Sequence, residues 1–260
     1  MAEAVATTHL GRDYLKQKVG RGGLYPYLEY LSLDTVKWDD DFLGDTLHGG
    51  YISTAAGNAS AVAALLAGSA NGEVKLDAGD ADDGYSTLRL NQLSFQGQLN
   101  AVMAARVKIN DIVGVKLEVG FIDGIGTTYN TTGAVSTLGS PATPGTGHAP
   151  DCAVWVWDTD DTNYLQAFGN KGDAEALKIE PSEALVNDTY RTFIVALRDT
   201  SARFFLTDAN GRVNYKSDWM LNAITAADLL CPWIMVLNRT GATSNAVIDY
   251  LRVWQRRTTS

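Results

Sequence analysis

The stretch VMAARVKINDIVGVKLEVGFID, residues 102–123, decides the fold class, because both of its halves alternate between apolar and polar side chains. A period of two places successive side chains on opposite faces of a β-strand. Residues 102–109 and 115–123 therefore predict two antiparallel strands, each with one buried face. The polar members of the alternation are Arg106, Lys108, Lys116 and Glu118. The turn NDIVG between the strands predicts that they pair as neighbours in a meander.

Similar runs rich in Val, Ile, Phe, Trp and Thr recur along the chain and are separated by turns. The clearest are CAVWVWD (152–158), YRTFIVALRD (190–199), ARFFLTD (202–208), CPWIMVLNR (231–239) and AVIDYLRVWQRR (246–257). The turns DTSA (199–202) and DANGR (208–212) predict hairpins. ASAVAALLAGSA (59–70) has the composition of a helix, but the glycines around it and its place in the series favour a strand. About a dozen strands at this spacing predict an all-β sandwich of two antiparallel sheets.

Length and composition favour one large domain, since the chain has 260 residues of which 45% are hydrophobic, enough for a substantial core. We expect residues 33–260 to form the sandwich and residues 1–32 to form an extended N-terminal arm. The segment GRGGLYPYLEYLSL combines glycines and a proline with Tyr25, Tyr27 and Tyr30. It cannot form a core alone, yet it is too aromatic for a free linker. We therefore expect the arm to lie on a partner or on its own domain.

Charge and targeting signals narrow the class of function. The formal net charge is −9 and the sequence pI is near 4.8, which disfavours nucleic-acid binding because that function needs a basic patch. We also expect no membrane partner, since the N-terminus lacks a signal-peptide pattern and no apolar stretch reaches about 18 residues. The two cysteines, Cys152 and Cys231, sit in apolar runs and predict buried thiols in preference to a disulfide.

The order and spacing of the segments carry a family resemblance over about residues 38–256. The segments are DDFLGDTL, RVKIND, EVGFID, AVWVWDTDDTNYLQAFGNKG, TYRTFIVAL, ARFFLTDANG and IDYLRVWQ. Together they resemble the concanavalin A-like lectin/glucanase jelly roll, and more closely the version found in structural proteins of tailed-bacteriophage particles. The last segment is also similar to the DYVRVYQ ending of laminarinase-type glycoside hydrolases. The resemblance implies a concanavalin A-like sandwich that resides in the virion and binds other capsid or tail subunits.

The catalytic motif of the laminarinase-type enzymes is not present in the expected strand. Those enzymes resemble one another in a motif of two glutamates around an aspartate, E-x-D-x-x-E or E-x-D-x-E, whose alternation places carboxylates on one face beside the scissile bond. Here Glu118 precedes Asp123 by an odd number of positions, and no third carboxylate follows. The sequence therefore predicts no catalytic residue, and a glycoside hydrolase is a remote alternative.

One row of side chains near the C-terminus indicates a binding surface. As a strand, residues 246–257 place Val247, Asp249, Leu251 and Val253 on one face, and on the other Ile248, Tyr250, Arg252 and Trp254. A sandwich buries one face of each sheet, so the second face meets water, a ligand or protein. Tyr, Trp and Arg are enriched at interface hot spots. We expect this row to contact a neighbouring subunit, or the chain's own arm folded back.

Two weaker candidate binding sites, one for a sugar and one for calcium, lie within residues 152–163. Trp155 and Trp157 share a strand face, which would suit either the core between the sheets or an aromatic platform for a sugar ring. Asp158, Asp160 and Thr162 offer alternating oxygen ligands that could hold calcium, although an acidic turn after a strand is usually a solvated hairpin end. No other cofactor is expected. The long Gly/Thr/Ser/Pro loop at 124–150 is of a length that is usually functional or disordered.

These observations leave two classes of function. The first is a non-enzymatic bacteriophage structural protein that decorates or stabilises a capsid, or attaches to a head or tail, as a homo-oligomer. The second is a carbohydrate-binding adhesin or lectin-like module that recognises host-surface glycans.

Overall fold

The computed structural model describes residues 35–57, 60–70, 72–124, 133–137, 146–147, 149–161, 164–172 and 177–257. The described residues form seventeen strands and one 3-10 turn, Gly97–Leu99. The strands are β1 Thr35–Asp40, β2 Tyr51–Ala56, β3 Val62–Leu65, β4 Val74–Asp77, β5 Tyr85–Leu90, β6 Val102–Ile109, β7 Val115–Ile122, β8 Val135–Thr137, β9 Thr146–Gly147, β10 Cys152–Asp158, β11 Gln166–Asn170, β12 Leu177–Ile179, β13 Arg191–Arg198, β14 Ser201–Thr207, β15 Val213–Lys216, β16 Cys231–Asn238 and β17 Asn245–Arg256. Within these ranges no helix has the length and apolar character needed to cross a bilayer.

The strands build two stacked antiparallel sheets, which confirms the predicted all-β sandwich. The eight-stranded sheet has the order β15-β14-β13-β6-β17-β4-β3, and β1 pairs with β17 as its eighth strand. The seven-stranded sheet has the order β12-β11-β10-β7-β16-β5-β2. A small third pair, β8 with β9, lies in the 133–147 region. Residues 1–32, predicted to be an arm, lie outside the described residues, so the arm and Tyr25, Tyr27 and Tyr30 stay predictions.

The decisive stretch folds differently from the predicted meander. β6 pairs with β13 and β17, whereas β7 pairs with β10 and β16. The turn of residues 110–114 therefore carries the chain from one sheet to the other. Its last residue, Gly114, has φ +69, which a glycine adopts without strain. Both strands still use the predicted apolar face, because the two faces meet across the sandwich in one core.

The core between the sheets takes alternate residues from the strands of both. β6 contributes Met103, Ala105, Val107 and Ile109, and β7 contributes Val115, Leu117, Val119 and Phe121. Burial of apolar area contributes about 25 cal/mol per Å², so this interdigitated layer is the main stabilising term of the fold. β7 departs from the expected half-buried strand, since its other face is buried as well.

The last strand, β17, changes face at a β-bulge. The register with β6 shifts between Ile248 and Tyr250, so Asp249 is the extra residue. Before the bulge the core-facing residues are Ala246 and Ile248, and after it they are Leu251 and Val253. The predicted faces were therefore right for residues 250–254 and wrong for Val247 and Ile248, because a single unbroken period of two was assumed.

Local predictions elsewhere are confirmed. β13 pairs with β14 and β14 with β15, as the turns DTSA and DANGR predicted. The 59–70 segment contains the strand β3. Both cysteines are buried free thiols, each directly across from Ile122 on strands that flank β7.

Candidate functional site

The candidate site lies on the outer face of the seven-stranded sheet, around its central strand β7. β7 directs Leu117 and Val119 into the core between the sheets, so Lys116 and Glu118 project from the opposite, outer face. Both of these charged side chains are fully buried. An ion is rarely buried without compensating partners, because its removal from water costs several kcal/mol.

Glu118 is compensated by a short segment that we call the strap, residues 133–135. Its Oε2 accepts hydrogen bonds from the Ala134 N–H at 2.8 Å and from the Trp233 Nε1–H at 2.8 Å. Its Oε1 accepts the Val135 N–H at 3.0 Å and lies 3.3 Å from Lys116 Nζ. Lys116 Nζ in turn donates to the Val135 carbonyl. Glu118 and Lys116 thus hold the strap by hydrogen bonds over the central strand of the sheet.

The strap fits closely because its first residue is glycine. Gly133 has φ +83, and a Cβ at this position would lie 2.7 Å from Cδ of Glu118. Any other side chain would therefore be strained and would displace the carboxylate. Ala134 and Val135 are fully buried in an apolar cluster on this outer face, together with Ile122, Cys152, Val154, Val156, Phe168, Cys231 and Met235.

A second ion pair extends the network at the end of β10. Asp158 is fully buried and lies 3.6 Å from Lys116 Nζ. Arg239 binds Asp158 through both ends of its guanidinium, with Nη2–Oδ2 at 2.6 Å and Nε–Oδ1 at 3.1 Å. Burial alone lowers the pKa of Arg239, but the hydrogen bond and the charge of Asp158 raise it above its usual value. Two cations, Lys116 and Arg239, thus balance two carboxylates, Glu118 and Asp158, in one network.

The two buried carboxylates of this face, Glu118 and Asp158, are not placed as an accessible pair. Glycosidases use two accessible carboxyl groups that flank the scissile bond. Glu118 and Asp158 share one face, but Lys116 lies between them and neither carboxylate is exposed. Asp123 follows the end of β7, and its carboxylate accepts the Asp151 N–H at 3.1 Å. The second carboxylate on the face of Glu118 comes from the neighbouring strand β10, which a linear motif does not reveal.

Three other buried polar side chains on the same face have atoms without hydrogen-bond partners. Arg89 is 3% exposed, and no described residue bonds to its Nε or Nη1. Burial lowers its pKa. Gln166 Oε1 and Asn170 Oδ1 are likewise without partners. Their cross-strand positions place all three on the side of the sheet that carries Glu118. Unsatisfied buried polar groups are rare in native proteins and often mark a place where water or a ligand binds.

A pair of aspartates joins the end of β7 to the start of β10. Asp151 is 1% exposed and accepts hydrogen bonds from the Thr225 N–H, the Thr225 hydroxyl at 3.2 Å and the Gly172 N–H at 3.1 Å. Burial raises its pKa. Asp123 is half-buried, and within the described ranges its Oδ1 accepts no hydrogen bond. Burial, aided by the charges of Asp151 and Asp228, raises the pKa of Asp123 to about 6.

The Asp123→Asn substitution should stabilise the protein at neutral pH and have little effect in acid. Because the folded state raises the pKa of Asp123, native protein binds its proton more tightly than unfolded protein, so this group lowers the stability as pH rises from about 4 to about 6. After solvent screening we expect a gain of about 1 kcal/mol at pH 7.5, or a few degrees in Tm. Thermal melts at pH 4 and pH 7.5 measure it, with the exposed Asp45→Asn as the matched control. An equal gain at both pH values would contradict the ionisation argument.

The tryptophans of β10 do not form a sugar platform. Trp155 and Trp157 are buried in the core between the sheets, at 1% and 2% exposure. Their indole N–H groups donate to the carbonyls of Ile194 at 3.2 Å and Ile112 at 3.1 Å. The alternation in β10 directs the tryptophans inward and Val154 outward, so the glycan-binding prediction for both residues was wrong.

The C-terminal row divides into one covered and two partly open side chains. Trp254 is 1% exposed and packs in an apolar cluster on the outer face of the eight-stranded sheet, with Val102, Ala104, Ile194 and Ala196. This burial leaves Trp254 little surface for a separate subunit, and the other expected contact, the chain's own arm folded back, stays a prediction because the arm lies outside the described residues. Arg252 binds Asp39 at 2.9 Å and Asp41 at 3.1 Å, and its guanidinium lies 4.5 Å from the Tyr250 ring. Partner binding by Tyr250 and Arg252 stays a prediction.

The calcium candidates are brought together around an arginine. Arg239 binds Asp158 and also lies 3.5 Å from Asp160, so it supplies the positive charge that the calcium hypothesis assigned to a metal ion. Thr162 lies outside the described residues. Across the described ranges, no group of three or more His, Cys, Asp or Glu side chains has an arrangement suited to a metal.

Comparison with known proteins shows which solved structures share this fold. No protein-family model matches the sequence, and a search of the curated proteins found no match. Among solved structures, the chain is similar to a protein of unknown function from Shewanella oneidensis MR-1, with TM-score 0.58 and 13% identity over 93% of this chain and 97% of that one. It is also similar to peanut lectin, with TM-score 0.54 and 11% identity over 87% and 99% of the two chains. Bacillus licheniformis beta-glucanase follows with TM-score 0.51 and 11% identity over 85% and 98%.

The fold is that of the concanavalin A-like lectins and glucanases. At these identities the comparison establishes the fold alone, and the neighbours include both enzymes and lectins. The jelly roll implied by the sequence resemblance is thus confirmed. The virion context is a separate question.

Proposed function

We propose that this chain is a non-enzymatic binding protein, and that its partners are subunits of a bacteriophage particle. The observation that carries the non-enzymatic part is the state of Glu118. This carboxylate stands at the centre of the outer face, yet it is fully buried and is bonded to Ala134, Val135, Trp233 and Lys116. A catalytic acid or base must reach the substrate, and here the chain's own strap lies in that place.

The virion part is supported by the sequence resemblance and by the aromatic content of residues 1–32. Attachment through an N-terminal segment would need residues that contribute large contact areas, and Tyr25, Tyr27 and Tyr30 are of that type. On the sandwich, Tyr250 and Arg252 remain partly exposed beside each other. These residues form the candidate contact surface for neighbouring subunits.

Deletion of residues 1–32 tests the attachment. We expect the shortened chain to fold with the melting temperature of the full chain but to be lost from particles assembled with the other virion proteins, as measured by quantitative mass spectrometry. Unchanged incorporation would exclude attachment through these residues. Absence of the full chain from particles would exclude the virion role itself.

An assay for released reducing sugar tests the non-enzymatic part. On β-1,3-glucan and mixed-linkage β-glucan we expect no release above a buffer blank, with an authentic beta-glucanase as positive control. Release that is abolished by Glu118→Gln would overturn the proposal and make Glu118 catalytic.

A glycan-binding function is the second candidate, favoured by polar atoms of Arg89, Gln166 and Asn170 on the outer face of the seven-stranded sheet that bond to no residue in the described part of the chain. Hydroxyl groups of a sugar could satisfy such donors and acceptors. A glycan array on the purified chain, followed by titration of any positive sugar against Arg89→Met, tests it. Binding that is lost in Arg89→Met but kept in a surface control, Arg212→Met, would favour this function. No binding to any glycan would exclude it.

A further inference from the structure

The two strands at one lateral edge of the sandwich carry no charged side chains of their own. From Gly49 to Gly72 the sequence contains no Asp, Glu, Lys or Arg, although these residues make up 20% of the chain. This segment supplies the terminal strand of each sheet, β2 and β3. The two strands contact each other, and the Ser86 hydroxyl links the sheets by donating to the Val62 carbonyl at 2.9 Å. We call this uncharged border the β2–β3 edge.

The backbone of β2 offers regular hydrogen-bonding groups along this edge. The Asn91 N–H donates to the Gly50 carbonyl at 2.8 Å, and the pairing of β2 with β5 continues without a register shift. In an antiparallel ladder, alternate residues direct their backbone groups to opposite sides. Ser53 and Ala55 therefore point their N–H and C=O groups away from the sheet. In the described part of the chain, β2 pairs with β5 alone. The residues that bond to β5 are Ile52, Thr54 and Ala56.

Two other terminal strands of the sheets are protected by charge, and this edge is not. β12 carries Lys178 and is followed by Glu180, and β15 carries Lys216. Charged side chains on an edge strand discourage pairing with another chain. The β2–β3 edge instead exposes Val62 at 43% and Leu66 at 37%. A regular, uncharged and partly apolar edge pairs readily with another strand, so we expect it to be covered in the working protein.

We propose that a second copy of this chain covers the edge, with β2 pairing antiparallel to β2 of that copy about a two-fold axis. Two copies each carry a net charge of −9, so they repel each other, and the repulsion is smallest where the facing strands carry no charged side chains. An edge without charge also gives no electrostatic complementarity by which to select a different protein. A two-fold axis makes β2 complementary to itself and joins the seven-stranded sheets of the two copies. Val62 and Leu66 add apolar contact beside the paired strands.

Sedimentation equilibrium of the full chain tests the dimer, and the test is independent of any virion or glycan role. We expect a mass of twice 28.0 kDa at micromolar concentration. Ser53→Lys places a charge at the exposed centre of β2 in both copies and should raise the dissociation constant at least tenfold. Ser182→Lys makes the same change at an exposed position away from the edge and should leave the constant unchanged. A monomeric wild-type chain at about 100 µM would overturn the proposal.

A second variant keeps the test informative if the lysine perturbs folding. Ser53→Pro removes an outward N–H, and proline is tolerated where an edge-strand N–H faces solvent, so the chain should stay folded but become monomeric. Hydrogen exchange should show the Ser53 and Ala55 amides protected at high concentration and unprotected on dilution. A dimer that survives both Ser53 substitutions, or that disappears only when residues 1–34 are deleted, would assign the interface elsewhere and refute β2 pairing.

Discussion

Replacement of Lys116 by methionine should lower the free energy of unfolding by about 3–5 kcal/mol, because it leaves buried carboxylates without their shared cation. Lys116 is fully buried between Glu118 and Asp158, at 3.3 Å and 3.6 Å. Its ammonium also donates to the Val135 carbonyl, so the substitution removes a bond to the strap as well. For a chain of this size the loss corresponds to a fall in Tm of about 6–20 °C. Urea unfolding at pH 7.5 measures it.

A double variant separates the ionic contribution from the packing contribution. In Lys116→Met/Glu118→Gln the uncompensated charge of residue 118 is also removed, so part of the lost stability should return relative to Lys116→Met. The exposed Lys216→Met is the matched control and should change stability by less than about 0.5 kcal/mol. A loss below about 1 kcal/mol in Lys116→Met would show that the network is solvated and that the strap does not lie across β7.

The sequence predicts the fold better than it predicts the site, because the contacts that build the site are distant in the sequence. Alternation in residues 102–109 and 115–123 identifies both strands and their core faces, since that signal is local. The partners of Lys116 and Glu118 are not local. They come from the strap, from β16 and from the last residue of β10. The sequence signal that was available was the same-face spacing of Lys116 and Glu118, which indicates an ion pair but not its burial.

The wrong predictions have specific physical causes. The NDIVG turn was read as a hairpin because a turn between two alternating strands is compatible both with pairing in one sheet and with crossing between sheets. The bulge at Asp249 reverses the faces of β17 without a signal in the hydrophobic pattern. The alternating sequence of β5 did not indicate that Arg89 is buried. The segments that cover the outer face of a sheet are distant in the sequence, so a local pattern does not reveal them.

Trp155→Ala should lower the free energy of unfolding by about 3–5 kcal/mol, as much as Lys116→Met, because it removes the largest type of side chain from the core. The Trp155 ring packs edge-on against Phe193, Phe204 and Tyr215, with centroid distances of 6.4, 5.5 and 5.8 Å. Its indole N–H also donates to the Ile194 carbonyl across the sandwich. The cavity left by alanine lies between the sheets and can collapse only partly. Urea unfolding, with near-UV circular dichroism for the aromatic packing, measures the loss.

Trp219→Ala is the matched control for this substitution. Trp219 is half-buried, and its ring stacks under the Arg198 guanidinium at 4.2 Å, a contact worth about 0.5–1 kcal/mol at such a site. We therefore expect Trp219→Ala to cost about 1 kcal/mol and Trp155→Phe an intermediate amount. The comparison also separates packing from ligand binding. A tryptophan in the core does not contact a sugar, so its substitution can weaken sugar binding only by lowering the fraction of protein that is folded. A Trp155→Ala protein that unfolds at the wild-type urea concentration and has lost binding to a glycan would put the indole at a surface and overturn its assignment to the core.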